Sequence, residues 1–302
     1  MRLRRPPPLE RGDRVGIVAP AGPVRADLLD RGLSYLEARG YVPVPGDHLR
    51  DRRAYLGGSD ADRLRDLHRM LGDASIRAVW FARGGYGSGR IVGGVDFGLL
   101  RRDPKPLVGY SDATVLLAAA QRRAGLSGCH APMVSQLGDP AAFDEASLWL
   151  ALEGAAEYAL PLAPGRVLRP GVASAPLVGG CLAVLVGLVG TPFEPETDGA
   201  ILFWEDVNEE PFRIDRMLGH LRLAGILARL RGMVVGRLIG CEPVDPANRQ
   251  SLEEILEFHL AGTDYPVVVD FPAGHCPGNV TLPLGRRARL DTAAGTLSIL
   301  NA

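Results

Sequence analysis

The chain contains 302 residues, with 34 basic and 35 acidic side chains and a formal net charge of −1. A nearly neutral chain lacks the strongly basic surface of a nucleic-acid-binding protein, so no nucleic-acid partner is predicted. Lys105 is the single lysine and lies between two prolines, which excludes a P-loop and Schiff-base chemistry on lysine. At 46% hydrophobic and 23% charged residues, the composition is that of a soluble globular protein with two domains.

The cysteines and the amino-terminal residues further narrow the class of protein that the sequence can represent. The four cysteines are widely spaced and predict neither a zinc site nor a disulfide framework: Cys129, Cys181, Cys241 and Cys276. The first eight residues are basic and rich in proline with no apolar segment behind them, so we expect a cytoplasmic protein without a signal peptide.

Residues 170–193 carry no charged side chain and are long enough for a membrane span. Their glycines and prolines instead favour a strand (175–178), a glycine turn at Gly179-Gly180 and a buried helix (181–189). No membrane contact is therefore predicted.

The first half of the chain alternates predicted strands with predicted helices. Strands are predicted at 14–19, 41–44, 76–82 and 106–109, and helices around 28–36, 59–70 and 111–123. Such alternation predicts a parallel, doubly wound, flavodoxin-like sheet whose ligands gather at the carboxyl ends of the strands.

The second half continues the α/β pattern after a segment rich in alanine, glycine and proline. Further elements are predicted as helices at 181–189, 211–227 and 252–260 and strands at 200–204, 232–235, 267–270, 286–290 and 296–300. The sequence thus predicts an N-terminal α/β domain (1–155), a linker (156–175) and a smaller C-terminal α/β domain (176–302).

Two segments at predicted strand ends carry candidate chemistry. Gly85-x-Gly87-x-Gly89 does not have the spacing of a dinucleotide fingerprint. It is either a turn or a set of backbone N–H groups for a phosphate or an oxyanion. Ser111 follows the fourth predicted strand, where a nucleophile elbow would place it, but Ser111 or Asp112 could equally cap the next helix.

A serine nucleophile needs a base and an acid that orients the base. Four histidines lie in helical faces, at a helix end or in a polar setting: His48, His68, His220 and His259. His130 and His275 remain, and the residues alone leave both as candidates. Glu205 ends an apolar predicted strand, an unusual place for a merely solvated carboxylate. No HxH or HxxxH spacing supports a metal site with the adjacent Asp206.

Several motifs together resemble the LD-carboxypeptidase family of serine peptidases, which also contains the microcin-immunity peptidases. Their order covers nearly the whole chain: GDRVGIVAP (12–20), RGGYG (83–87), GYSD (109–112), EDVNE (205–209) with FRIDR (212–216), and GH (274–275) with Asn279 and LPLG (282–285).

This resemblance implies a Ser-Glu-His triad in a cleft between the two domains. It implies Ser111 as nucleophile, Glu205 as orienting acid and His275 as general base. The backbone N–H groups of Gly85 and Asp112 would form the oxyanion hole, without a metal or other cofactor. Among the arginines, Arg83 beside the loop is our candidate for binding a substrate carboxylate.

The implied activity is hydrolysis of the L,D-peptide bond before the terminal D-alanine of murein tetrapeptides, in cell-wall recycling, by a cytoplasmic homodimer. One alternative is a peptidase that cleaves peptidyl-nucleotide antibiotics, and another is a non-catalytic module that binds a ligand in the cleft. Ala21, Cys181 and Cys276 depart from the family pattern and bear on the substrate preference.

Overall fold

The computed structural model describes residues 3–245, 247 and 250–301 and divides the chain into two compact units. The first unit comprises the chain up to Ala155 together with Pro277–Gly285. The second comprises Ala156–Cys276 and the chain from Arg286 onward. Both units combine helices with a sheet that contains parallel strands, as the sequence predicts.

A sheet of six described strands forms the centre of the first unit. In spatial order these are β12 (Leu282–Leu284), β5 (Gly128–His130), β4 (Leu107–Gly109), β3 (Ile76–Phe81), β1 (Arg14–Val18) and β2 (Val42–Pro45). Strands β1 to β5 are parallel, and their order 2-1-3-4-5 is that of a flavodoxin-like doubly wound sheet. The predicted fold class is confirmed, with the addition of β12, which runs antiparallel to β5.

The helices of the first unit follow the strands along the chain. They are α1 (Ala26–Ala38), α2 (Asp60–Gly72), α3 (Ser88–Ile91), α4 (Phe97–Arg102), α5 (Thr114–Ala124) and α6 (Glu145–Leu152). Helix α2 begins after Ser59 because the serine hydroxyl accepts the N–H of Asp62. Helix α5 follows a 3-10 turn at Ser111–Ala113 and ends at Gly125 in the left-handed conformation.

The core of the first unit is built from the strand residues. Val15, Ile17, Trp80 and Val108 are fully buried, as expected for parallel strands covered on both faces. Lys105 is also buried, just before β4, and its Nζ donates to the carbonyl of Asp73 (2.8 Å) and the carboxylate of Asp103 (2.5 Å). The lysine ammonium therefore has two structural partners, one backbone carbonyl and one carboxylate.

The second unit contains a larger mixed sheet. Its described strands lie in the order β6 (Tyr158–Pro161), β14 (Thr296–Ile299), β13 (Arg287–Asp291), β8 (Val172–Cys181), β9 (Ile201–Val207), β10 (Gly232–Ile239), β11 (Val267–Val269) and β7 (Arg166–Arg169). Strands β8 to β11 are parallel and the remaining pairings are antiparallel. The helices are α7 (Leu182–Leu188), α8 (Pro211–Leu223) and α9 (Leu252–His259).

Residues 156–175 do not form the predicted linker. Strands β6 and β7 and the first part of β8 lie there, and all three pair within the second sheet. Both β6 and β7 are short and largely exposed, so they lack the strong alternation by which a half-buried strand is recognised. The first unit likewise does not end at 155, because Pro277–Gly285 returns to it with β12.

The predicted turn at Gly179-Gly180 is wrong, because β8 runs straight through both glycines. Gly179 has φ of +146°, and a Cβ there would lie 1.7 Å from the carbonyl oxygen of Phe203 on β9. The glycine therefore permits a close approach of two strands rather than a turn. The uncharged stretch that contains it forms β8 and the short helix α7, and no helix among the described residues is long and apolar enough to cross a membrane.

We expect Gly179→Ala to lower the free energy of unfolding by about 2–5 kcal/mol, because overpacking and an unfavourable φ act together. Urea unfolding followed by circular dichroism measures the change. Gly187→Ala in α7 is the matched control, since a Cβ there meets nothing within 4 Å and alanine favours a helix by up to about 1 kcal/mol. Equal stability of Gly179→Ala and wild type would contradict the close approach.

Candidate active site

Ser111 lies on the turn between β4 and α5 in a strained backbone conformation. Its φ is +61°, in the left-handed region that residues other than glycine rarely adopt. A Cβ on Gly84 would lie 3.1 Å from Ser111 Oγ, so the glycine-rich loop approaches the hydroxyl closely. A strained serine between a strand and a helix is the geometry of a nucleophile elbow.

The glycine-rich loop after β3 is fastened to the residue that follows this serine. Asp112 Oδ2 accepts the N–H of Ser88 (2.8 Å), and burial raises the pKa of the Asp112 carboxyl. Gly85 and Gly87 have φ of +105° and +140°, so this course of the loop favours glycine at both positions. The loop and the serine turn therefore form one connected structure.

Arg63 supports the same loop from helix α2, and the sequence analysis missed it. Its side chain is fully buried, and it donates to the carbonyl of Pro20 and to Asp60 Oδ1, the latter at 2.6 Å. A Cβ on Gly87 would lie 2.6 Å from Arg63 Nη1, so the loop backbone packs on the guanidinium. The helical spacing of the sequence could have indicated this burial, because Arg63 lies on the same core-facing side of α2 as Met70.

In the second unit, Glu205 and His275 form a hydrogen-bonded pair. Glu205 is fully buried in β9, and its Oε2 accepts both the Nδ1–H of His275 (2.7 Å) and the backbone N–H of His275 (3.2 Å). A proton on Nδ1 places the lone pair of the neutral ring on Nε2. The carboxylate thus fixes both the position and the tautomer of the imidazole.

Two glycines make room for this pair. A Cβ on Gly274, whose φ is +114°, would lie 2.5 Å from Glu205 Oε2. A Cβ on Gly236 in β10 would lie 2.8 Å from the Cβ of Glu205. Glycine at these positions lets the chain on either side of Glu205 approach the carboxylate directly.

Asp206, next to Glu205, accepts hydrogen bonds from the backbone, whereas the carboxylate bonded to His275 is that of Glu205. Its carboxylate accepts the N–H groups of Ala183 and Val207, each at 2.8 Å, and burial raises its pKa to about 6. Cys181, one of the departures from the family pattern, donates its thiol to Asp206 Oδ1 (3.6 Å). A polar contact is therefore retained at this position.

The remaining candidates are placed as follows. His130 is fully buried in β5, with its ring 5.3 Å from that of Tyr110, whereas His275 is the histidine bonded to Glu205. Arg83 is exposed, and its Nη1 donates to the carbonyl of Pro23 (2.9 Å). Gly85 follows Gly84 and Asp112 follows Ser111 in the sequence, and Gly84 and Ser111 approach each other closely.

One group outside these residues has the composition of a metal site. His48, Asp51 and Asp62 present ligand atoms within 4.8 Å of one another in the described part of the chain. His48 Nδ1 is bonded to Asp66 (3.0 Å) and Asp51 is exposed. None of the three is a predicted site residue.

Family models match both parts of the chain. The LD-carboxypeptidase N-terminal domain matches residues 15–131, and the LD-carboxypeptidase C-terminal domain matches residues 174–290. The first match contains Ser111 and the second contains Glu205 and His275.

Relatives of the same kind match over nearly their full length. The chain is 40% identical to a probable murein peptide carboxypeptidase of Bacillus subtilis, over 98% of this chain and 94% of the relative. It is 35% identical to a murein tetrapeptide carboxypeptidase of Pseudomonas aeruginosa, over 92% and 93%. A crystal structure of muramoyltetrapeptide carboxypeptidase from Oxalobacter formigenes superposes with a TM-score of 0.85 at 30% identity, over 95% and 99%. The chain belongs to the LD-carboxypeptidase family.

Proposed function

We propose that the protein is a serine carboxypeptidase that removes the terminal D-alanine from murein tetrapeptides by cutting the L,D-peptide bond. The Glu205–His275 hydrogen bond carries the proposal, because a buried carboxylate on Nδ1 is what a general-base histidine requires. The strained turn at Ser111 supplies a matching nucleophile. Relatives named for murein peptides at 35% and 40% identity support the substrate class.

In this mechanism, Ser111 Oγ attacks the carbonyl of the scissile bond and His275 Nε2 takes its proton. The same proton then passes to the nitrogen of the leaving D-alanine, and the acyl-enzyme forms. Water, activated by His275, hydrolyses the acyl-enzyme and restores the serine. Glu205 holds the ring in place and stabilises the imidazolium in both steps.

We assign the oxyanion hole to the backbone N–H groups of Gly85 and Asp112. The support is local, since the loop that carries Gly85 touches Ser111 through Gly84 and is bonded to Asp112 through Ser88. Donors held rigidly around a developing negative charge lower the barrier without reorganising. Arg83 is exposed near this loop, and we propose that it binds a carboxylate of the substrate.

We also propose that the enzyme assembles as a homodimer and acts in the cytoplasm, as the family resemblance implies. The alternative function, cleavage of a peptidyl-nucleotide antibiotic, would use the same catalytic residues. Assaying a murein tetrapeptide beside an acyl-sulfamoyl adenylate separates the two substrate classes, and we expect the tetrapeptide to be cleaved faster.

Ser111→Ala removes the nucleophile, and we expect kcat for release of D-alanine from a synthetic murein tetrapeptide to fall on the order of 10⁶-fold. Mass spectrometry of the tripeptide product measures the rate. Ser174→Ala, at an exposed serine of β8, is the matched control and should retain wild-type kcat. A Ser111→Ala enzyme that keeps wild-type turnover would show that another group attacks the substrate.

Glu205→Gln keeps the shape of the side chain but removes its charge, so the imidazolium loses its stabilising partner. We expect kcat to fall about 10³–10⁴-fold with a much smaller change in KM. Glu209→Gln is the control, because Glu209 is a partly exposed carboxylate close in sequence. Equal effects of the two substitutions would argue against an orienting role for Glu205.

A further inference from the structure

Helix α2 buries an arginine, Arg63, together with the apolar side chains of Leu67, Met70 and Leu71. The guanidinium is fully buried, and its ion-pair partner Asp60 has a side chain that is 39% exposed. Burial of a charged group is costly, and a buried ion pair is often no more stabilising than apolar side chains of the same volume. Stability alone therefore does not account for an arginine at this position.

The guanidinium contacts two separate stretches of backbone. It donates to the carbonyl of Pro20, in the loop after β1. A Cβ on Gly87 would lie 2.6 Å from Arg63 Nη1 and 3.3 Å from Arg63 Cζ, so the backbone of the glycine-rich loop lies directly against the same group. One rigid, planar side chain thus fixes the position of both loops.

These contacts support the peptide chain on both sides of Gly85. The glycine that packs on Arg63 follows Gly85 by two residues. On the other side, the carbonyl of Gly84 accepts the N–H of Gly22 (3.0 Å). Gly22 belongs to the loop whose Pro20 carbonyl is bonded to Arg63. The N–H of Gly85, one of the two donors that we assign to the oxyanion hole, therefore lies between two supports that both lead to Arg63.

The second assigned donor is the N–H of Asp112, and Arg63 acts on this residue as well. The Asp112 carboxylate accepts the N–H of Ser88 (2.8 Å), the residue after Gly87. Burial raises the pKa of the Asp112 carboxyl, and the positive charge of Arg63 opposes this effect. Arg63 therefore favours the ionised carboxylate, which accepts the hydrogen bond from the loop more strongly.

Asp60 orients the guanidinium. Its Oδ1 accepts Arg63 Nη2 at 2.6 Å, and its carboxylate also receives Nε and Nη2 of Arg90 at 2.8–3.1 Å. Hydrogen bonds from Arg90 and Arg63 lower the pKa of Asp60 to about 2, so the carboxylate is ionised at neutral pH. Arg90 lies in α3, three residues after Gly87, so Asp60 joins α2 to the helix that follows the loop.

We propose that Arg63 is a positioning residue for the oxyanion hole, whose guanidinium holds the N–H groups of Gly85 and Asp112 at the spacing that the reaction needs. This inference rests on the proposed function and adds to it a residue that acts through the loop backbone. Preorganised donors lower the barrier when they are held where negative charge develops. Loss of this support should therefore slow the chemical steps and leave substrate binding nearly unchanged.

The test is steady-state cleavage of a synthetic murein tetrapeptide by Arg63→Met, which fills a similar space without charge or donors. We expect kcat to fall about 10²-fold with KM within about twofold of wild type, the range of an oxyanion hole that loses one donor. Arg63→Lys keeps the charge and a donor and should recover part of the lost kcat. Arg65→Met is the matched control, because Arg65 is a 61% exposed arginine of the same helix, bonded to Asp62, and wild-type kcat and KM are expected.

Circular dichroism establishes that each variant is folded. A folded Arg63→Met enzyme that keeps wild-type kcat, or that changes in KM alone, overturns the positioning role and leaves the peptidase activity intact. If Arg63→Met does not fold, Asp60→Asn decides, because it keeps the arginine and removes the anion that orients it. A kcat about tenfold lower at unchanged KM in that variant supports the role, and wild-type kcat overturns it. Failure of the wild-type enzyme to cleave the tetrapeptide overturns the proposed function itself.

Discussion

Burial of the Glu205 carboxylate dictates which residues surround it in the second unit. A carboxylate removed from water must find its hydrogen-bond donors within the protein, or its burial costs several kcal/mol. Oε2 of Glu205 receives two donors, and both belong to His275. They reach the carboxylate because Gly236 and Gly274 have no Cβ to block the approach. The strand order β9-β10-β11 is what brings these separate parts of the chain to one side chain.

The constraint in the first unit is different, because its structure must hold an unfavourable backbone conformation at Ser111. The neighbours that hold it are themselves polar and buried. Asp112 bonds to the loop at Ser88, and Arg63 bonds to Pro20 and packs against Gly87. These buried hydrogen bonds hold the loop and the turn in place and so resist relaxation of the strained turn. The glycine-rich segment is accordingly a scaffolded loop, in contrast to a freely moving one.

The sequence predicted those features that depend on local pattern. Continuous apolar runs gave the parallel strands, and the positions of Ser111 and Glu205 at strand ends marked them as candidates. Non-local pairing was not readable, because β12 joins β5 from more than a hundred residues away. Glycine was ambiguous as well, since a turn and a close approach both require it, and Gly179 proved to be the second case. The residues alone left both His130 and His275 open; the family resemblance implied His275, and the structure places the His275 ring on Glu205.

The path of the chain between the units has a practical consequence for dissecting the protein. The backbone passes from one unit to the other after Ala155, after Cys276 and after Gly285, so neither unit is a single continuous piece. A fragment that ends at Ala155 lacks β12 and leaves β5 as an open sheet edge, which invites pairing with other chains and aggregation. Independent expression of the first unit therefore calls for a fusion that restores residues 277–285, and a simple truncation will not reproduce its native sheet.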